Sequence, residues 1–260
     1  MERVVIAYSG GVDSTFLVKI AYDVLGDRAV AVTADSPTYP EEEFETAREL
    51  ARQIGVRHEV IVSEELKDPN FAKNPADRCY HCKMELFCKL KEVADRYGAK
   101  YILYGANYDD TGDFRPGMQA ADEVGARAPL KEVGMTKDQI RWFSKDLGLP
   151  TWDKPATACL SSRFPYGTEI TEKKLRTVGQ AEQFLRSLGF RQLRVRHHDQ
   201  IARIEVPEED IPRLLQEKLR AQVIERFNEL GYPYVTLDLK GYRTGSLNEV
   251  LRTDQKRVHI

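Results

Sequence analysis

The chain reads as an α/β protein, a doubly wound and mostly parallel sheet followed by a smaller α+β domain. Three observations predict this. Strand-sized apolar runs alternate with amphipathic helical segments as far as Pro150, a glycine-rich turn joins the first strand to the first helix, and after Trp152-Asp153-Lys154-Pro155 the order of elements changes.

The first strand is Val4-Val5-Ile6-Ala7-Tyr8, the short apolar run that a buried parallel strand needs. Phe16, Leu17, Ile20, Ala21, Val24 and Leu25 then recur on one helical face, with Gly26 where a C-terminal glycine belongs. Ala29 to Ala34 is a second strand ending at Asp35-Ser36-Pro37, Glu41 to Ile54 a helix closed by Gly55, and Val56 to Val62 an alternating third strand. Pro69 to Pro75 reads as a loop leading into a helix that carries Leu86, Leu90, Val93 and Ala94. Tyr101 to Asn107 is a fourth strand, followed by a polar, Gly- and Asp-rich loop through Met118, and Gln139 to Leu147 is helical. Beyond the change of pattern come a helix from about Glu172 to Leu188, strands at Gln192 to His197 and Ile201 to Val206, a helix over Pro207 to Leu230 that can break near its middle, and a strand from Tyr234 to Leu239. Domains of residues 1–165 and 166–260 are therefore expected.

With 260 residues, 42% of them hydrophobic and 31% charged, the chain can build one large core or two modest ones. No stretch approaches the roughly 20 apolar residues that span a bilayer, and no signal-peptide layout precedes the first strand. A cytoplasmic protein with no membrane partner is expected. A net charge of -2 and a pI of about 6.3 offer no general attraction to nucleic acid. Without a secretory signal, Cys79, Cys82, Cys88 and Cys159 point to metal binding or catalysis and away from a disulfide frame.

Ser9-Gly10-Gly11-Val12-Asp13-Ser14-Thr15 lies between strand and helix, the context of a pyrophosphate cradle. Gly10 and Gly11 let the backbone turn its amides toward an anion, and Ser14 and Thr15 add hydroxyls at the positive end of the helix. No lysine follows the glycines, which excludes the loop that grips a β/γ phosphate for transfer. Asp13 is a candidate to position Mg2+ or a loop amide, or else simply stabilises the helix dipole. Asp35 lies where nucleoside contacts fall in this architecture, and equally suits a turn before Pro37. Asn107 and Asp109 end the fourth strand near nucleotide or Mg2+, with Arg115 and Arg127 beyond as anion candidates.

Cys79-Tyr80-His81-Cys82-Lys83 spaces two thiols to meet one metal ion or cluster, or to form a redox pair. Cys88, six residues on, points nearly away from Cys82 and reads as a small buried apolar residue. Cys159 lies in the loop Ala156-Thr157-Ala158-Cys159-Leu160-Ser161-Ser162-Arg163, where an exposed thiol beside Arg163 would ionise readily and a buried one would be structural. Cys79, Cys82 and Cys159 together give three ligands and an open fourth position. Lys83 either neutralises charge developing on phosphate or sits in solvent. Arg194 and Arg196 alternate onto one strand face without adjacent acids in the sequence, a receptor for a phosphate monoester or a solvated face. His197 and His198 fit a hairpin turn without catalysis.

The glycine turn resembles the PP-loop of the ATP pyrophosphatases, which split ATP between its α and β phosphates, and belongs with the adenine nucleotide alpha hydrolase-like folds. Taken with Cys79 to Lys83, Gly105 to Asp110, Ala158 to Arg163 and Arg194 to Asp199, it makes the chain similar, over nearly its full length, to the LarE family of ATP-dependent sulfur transferases. That resemblance implies a PP-loop domain and a smaller domain that helps form homo-oligomers. It implies adenylylation of a pyridinium carboxylate mononucleotide by ATP and displacement of AMP by sulfur, in making the nickel-pincer cofactor. Family members with one cysteine, matching Cys159, give up its sulfur; those with three, matching Cys79, Cys82 and Cys159, hold a 4Fe-4S cluster that carries an extra sulfide from a donor the sequence does not name. By resemblance Ser9, Gly10, Gly11, Asp13 and Ser14 hold ATP with Mg2+, Lys83 assists adenylylation, and Arg194 and Arg196, with Arg163 near by, receive the substrate phosphate. The competing expectations are a PP-loop enzyme that thiolates tRNA or forms an amide, and a nucleotide-binding metal sensor without turnover.

Overall fold

A computed structural model describes residues 2–112 and 116–250. The chain divides into two compact units. One takes the described residues through Phe71 and those of Asp77–Thr157; the other takes Ala72–Ala76 and the described residues from Ala158 onward. The sequence put the division near residue 165; it lies at 157/158, because Leu160, Ser161, Arg163 and Phe164 are already buried in the second unit. No helix among the described residues is long and apolar enough to cross a membrane.

In the first unit the elements are β1 (Val4–Ala7), α1 (Val12–Leu25), β2 (Ala29–Asp35), α2 (Glu41–Ile54), β3 (Arg57–Val62), the short α3 (Pro69–Ala72), α4 (Arg78–Tyr97), β4 (Tyr101–Tyr104), α5 (Pro116–Val124), the short α6 (Pro129–Glu132) and α7 (Lys137–Asp146). The four strands are all parallel, in the order β3-β2-β1-β4. Alternation along β1 sends Val4 and Ile6 to one face, packed with Phe16 and Leu17 of α1, Ala47 and Ala51 of α2 and Ile140 of α7. Val5 goes to the other, with Phe87, Leu90 and Val93 of α4 and Ala120 and Ala121 of α5. Helices therefore cover both faces, which is why β1 and β2 read as unbroken apolar runs, while β3 at the sheet edge alternates. The expected loop through Met118 ends earlier, at Pro116, where proline opens α5 and Ala120 and Ala121 give it a buried face.

The second unit holds α8 (Glu172–Ser187), β5 (Arg194–His198), β6 (Ile201–Glu205), the short α9 (Ile211–Leu214), α10 (Glu217–Glu229) and β7 (Tyr234–Leu237). Its sheet runs β5-β6-β7, antiparallel in the first pair and parallel in the second. The helix expected over Pro207 to Leu230 is broken into α9 and α10. Asn74, at a φ of 56°, donates its side-chain amide to the Pro165 carbonyl at 2.7 Å, and Gly167 N–H returns to the Asn74 carbonyl at 2.8 Å; these bonds stitch 72–76 into this unit.

Candidate active site

β1 lies between β2 and β4, so the chain's crossovers diverge there and open a crevice at the carboxyl ends of the strands. The glycine turn leaves β1 into it. Gly10 has a φ of +61°, and a Cβ on it would sit 2.8 Å from Ala47 Cβ, so α2 is packed directly against the turn. From the other side Gly105, just after β4, approaches so closely that a Cβ there would lie 2.9 Å from Ser14 N. The buried Ser14 hydroxyl accepts from Ser9 N–H at 3.2 Å, lies 3.1 Å from the Ser9 hydroxyl and donates to the Gly11 carbonyl at 3.3 Å. Tyr39 donates its phenol to the Ser9 carbonyl; burial, then the Glu43 carboxylate, push that phenol well above its usual range, so it stays a donor.

Asp13 stands in the first turn of α1, partly exposed. Its carboxylate accepts from Lys137 Nζ at 2.5 Å and from Asn107 Nδ2 at 3.4 Å. Asn107 Oδ1 in turn accepts from Asp109 N–H at 2.9 Å, and Asp109 Oδ2 from Lys137 N–H at 2.8 Å, which ties the turn after β4 to the start of α7. Lys154 Nζ donates to the Gly10 carbonyl at 3.0 Å and pairs with Glu43 at 2.6 Å. As a hard oxygen ligand at the mouth of an anion cradle, Asp13 fits Mg2+. Asp35 is exposed at the end of β2, on the same edge of the sheet. Thr15 differs from expectation: it is wholly buried, so it lies behind the cradle. Arg127 is engaged by Glu132, at 3.1 Å from its Nε, and Arg115 lies outside the described residues.

Cys79 and Cys82 occupy the first turns of α4, three residues apart and so on one helical face, with Cys79 exposed and Cys82 half-buried. Lys83 is exposed beside them, its Cγ so close to Gly117 of α5 that a Cβ there would lie 2.8 Å away. The expectation that Cys88 is buried is overturned. α4 buries Phe87, Leu90, Val93 and Ala94 and leaves Cys88 exposed on the flank of that stripe. The two thiols of the CxxC fit one half of a metal or cluster site; among the described residues no group of three or more His, Cys, Asp or Glu gathers in metal-binding geometry.

In the second unit Cys159 is exposed at the start of a 3-10 turn, Leu160–Arg163. Its carbonyl accepts from Ser162 N–H at 3.0 Å, the Ser162 hydroxyl at 2.9 Å and Arg163 Nη1 at 3.0 Å. Arg163 is not an open phosphate receptor. It is 0% exposed, and pairs through Nε and Nη2 with Glu182 at 2.8 and 2.9 Å. Burial alone would lower its pKa, but Glu182 raises it on balance. Arg194 and Arg196 do share a face of β5, yet both are buried, and Arg196 is matched by an acid on the next strand, Glu205, at 2.9 Å to each oxygen. Arg194 donates to Tyr242 Oη at 3.2 Å and lies over its ring; burial, then the nearby Arg163 charge, pull its pKa down to about 10. His197 lies 2.8 Å from Tyr232 Oη through Nδ1, a packed hairpin residue, and His198 follows it at the strand end.

Sequence reasoning missed Lys137, Lys154, Tyr39, Glu182 and Glu205. The one local signal was the capping box of Thr136 and Gln139, which marks the start of α7 and hence the position of Lys137.

Residues 3–150 match the family described as Arginosuccinate synthase N-terminal HUP domain. An uncharacterized protein of Synechocystis is 51% identical over 96% of this chain and 94% of its own length. The pyridinium-3,5-bisthiocarboxylic acid mononucleotide synthase of Lactiplantibacillus plantarum is 41% identical over 98% of this chain and 92% of its own. The argininosuccinate synthase of Pyrococcus furiosus is 30% identical over 58% of this chain and 40% of its own.

Proposed function

Because the chain belongs to the LarE family of ATP-dependent sulfur transferases, we propose that it converts a pyridinium carboxylate mononucleotide to the thiocarboxylate, as a step toward a nickel-pincer cofactor. The observation that carries this reading is the glycine turn at the switch-point crevice, cross-bonded by the Ser14 hydroxyl and bordered by Asp13 and Asn107.

A carboxylate oxygen of the substrate attacks the α phosphorus of ATP and pyrophosphate leaves; sulfur then attacks the acyl carbon and AMP leaves. Activation is needed because a free carboxylate is a poor electrophile with no usable leaving group. In this reading Ser9, Gly10, Gly11 and Ser14 cradle the departing pyrophosphate, Asp13 holds Mg2+, Asp35 and Asn107 border the nucleotide, and the exposed ammonium of Lys83 meets charge developing on phosphate. Arg194 receives the substrate phosphate: a buried guanidinium whose pKa is pulled down to about 10 gains from a bound dianion. Arg196, held by Glu205, and Arg163, held by Glu182, position Arg194 and the Cys159 loop.

Cys79, Cys82 and Cys159 are not joined in disulfides, and Cys79 and Cys159 are exposed, a donor set that suits a 4Fe-4S cluster with an exchangeable fourth iron position. When bound, such a cluster would carry the transferable sulfide, so Cys159 would survive turnover. Intact mass before and after turnover tests this. An unchanged polypeptide, with AMP and pyrophosphate formed only when the pyridinium substrate is present, is expected. Loss of one sulfur from the chain overturns the cluster route, and AMP formed only with tRNA overturns the substrate. Cys159→Ala is expected to abolish sulfur transfer and leave ATP binding intact.

A further inference from the structure

The glycine turn carries no lysine of its own, yet ATP brings a triphosphate of roughly three to four negative charges, while a helix N-terminus offers about half a positive charge. The first unit places two ammonium groups on the turn from distant parts of the chain. Lys137 Nζ is 2.5 Å from Asp13 Oδ2, and Lys154 Nζ is 3.0 Å from the Gly10 carbonyl and 2.6 Å from Glu43 Oε2.

Neither position is explained by local stability. Lys137 is the first residue of α7, where a cation opposes the helix dipole, and no acid in the first turn of that helix pairs with it; its partner is Asp13 of the turn. Lys154 lies in the irregular stretch after α7 and is 17% exposed along its side chain, committed to a carbonyl and a carboxylate of the nucleotide cradle. A lysine presents three donors on a four-carbon stem, so each can turn from its present partner to a phosphate oxygen without moving its backbone.

We propose that Lys137 and Lys154 supply the positive charge the turn lacks, by ligating the β and γ phosphates of ATP and then the departing pyrophosphate. Asp13, Glu43 and the Gly10 carbonyl hold the same two ammonium groups in place at the turn. Asp13 would hold Mg2+, whose charge would compete with Lys137 for the carboxylate and leave the ammonium to the phosphates. The inference rests on the reading of the turn as an ATP cradle and adds to it residues outside the motif.

The test compares dissociation constants for MgATP and for AMP, by titration calorimetry on the full chain. The variants are Lys137→Met, Lys154→Met, the corresponding glutamine variants, and Lys91→Met on an exposed flank of α4 as control. AMP lacks the phosphates that the lysines would hold. Each site variant is expected to weaken MgATP by about tenfold or more, the loss of a charge-assisted hydrogen bond, and AMP by less than about twofold. The control should change neither. A change of less than about fivefold in the ATP-over-AMP preference, in whichever of the methionine and glutamine variants folds, overturns the proposal at that lysine. Failure of the unaltered protein to bind MgATP would overturn the reading of the turn itself, a result separable from failure of the lysines alone.

Discussion

Arg163 and Glu182 form a two-pronged ion pair, Nε to Oε1 at 2.8 Å and Nη2 to Oε2 at 2.9 Å, with neither side chain exposed to solvent. Glu182 also accepts from Val195 N–H of β5 at 3.0 Å, while Arg163 reaches the carbonyls of Ala158 and Cys159 at 2.8 and 3.0 Å. One buried carboxylate thus joins α8, β5 and the loop that presents Cys159. Removing it strands a buried guanidinium, and loss of one partner of such a pair costs about 3–5 kcal/mol. Glu182→Gln is expected to lose about that much stability in urea unfolding of the second unit, and the double variant Arg163→Met/Glu182→Leu less. A loss below about 1 kcal/mol for Glu182→Gln would mean that the pair does not organise the loop.

Acid should weaken the same unit. His197 is held below the ordinary histidine range by burial and then by Lys174, His198 by burial and then by Arg203 and Arg196. Unfolded imidazoles take up protons from about pH 6.5 downward and these folded ones only at lower pH. Over that window the unfolded chain binds more protons, so stability falls as pH falls. Glu182 extends the trend: burial alone would raise its pKa, but Arg163 holds it below the usual carboxylate range on balance, and its contribution is lost at more acid pH. The melting temperature should drop between pH 7.5 and 5.5, and the drop should shrink in His197→Phe/His198→Gln. An unaltered slope in that double variant would assign the acid sensitivity elsewhere.

What could be read without coordinates follows the range of the interactions involved. The strand, glycine turn and helix at the start of the chain, the Glu41–Ile54 helix and its left-handed Gly55 cap are all decided within a few neighbours, and they stand where expected. Glu205 was out of reach for a different reason. It lies opposite Arg194 in the β5–β6 register and pairs with Arg196 diagonally, so its role depends on which residues the hairpin sets face to face. Lys137 and Lys154 meet the glycine turn only through tertiary packing; in sequence they are two ordinary lysines in polar segments. Cys88 shows the limit of helical phase, which correctly turned it from Cys82 but could not tell the flank of the buried stripe from its centre.

The turn at Gly10 is constrained twice over. Its φ of +61° disfavours any side chain, and Ala47 Cβ occupies the space that a new Cβ would need. Gly10→Ala is expected to cost about 1–2 kcal/mol from the left-handed backbone and about 1–3 kcal/mol from overpacking, and to weaken MgATP binding. Ala47→Gly in the same chain removes the closest clash but leaves the Ala47 Cα, 3.1 Å from the new Cβ, and the backbone part, at a helix penalty of about 1 kcal/mol. Partial recovery of MgATP affinity in the double variant is therefore the expected result. Full affinity in Gly10→Ala alone would show that the turn relaxes without loss.

Cys82 and Cys88 lie on the same helix, six residues apart, and neither is in a disulfide, so together they test which thiols hold a cluster. Cys82 is one helical turn from Cys79 and presents its sulfur on the same face, whereas Cys88 is turned nearly to the opposite side. If Cys79, Cys82 and Cys159 are the ligands, anaerobic reconstitution should give about four irons per chain in the unaltered protein. Cys88→Ser should load equally, and Cys79→Ser, Cys82→Ser and Cys159→Ser should each lose most of the iron and its visible absorbance. The Cys88→Ser variant carries the discrimination, since it removes a thiol more exposed than that of Cys82 from the same helix without touching the set. Equal loss of iron in Cys88→Ser and Cys82→Ser would mean that loading follows exposed thiols in general, and would leave the three-cysteine site without support.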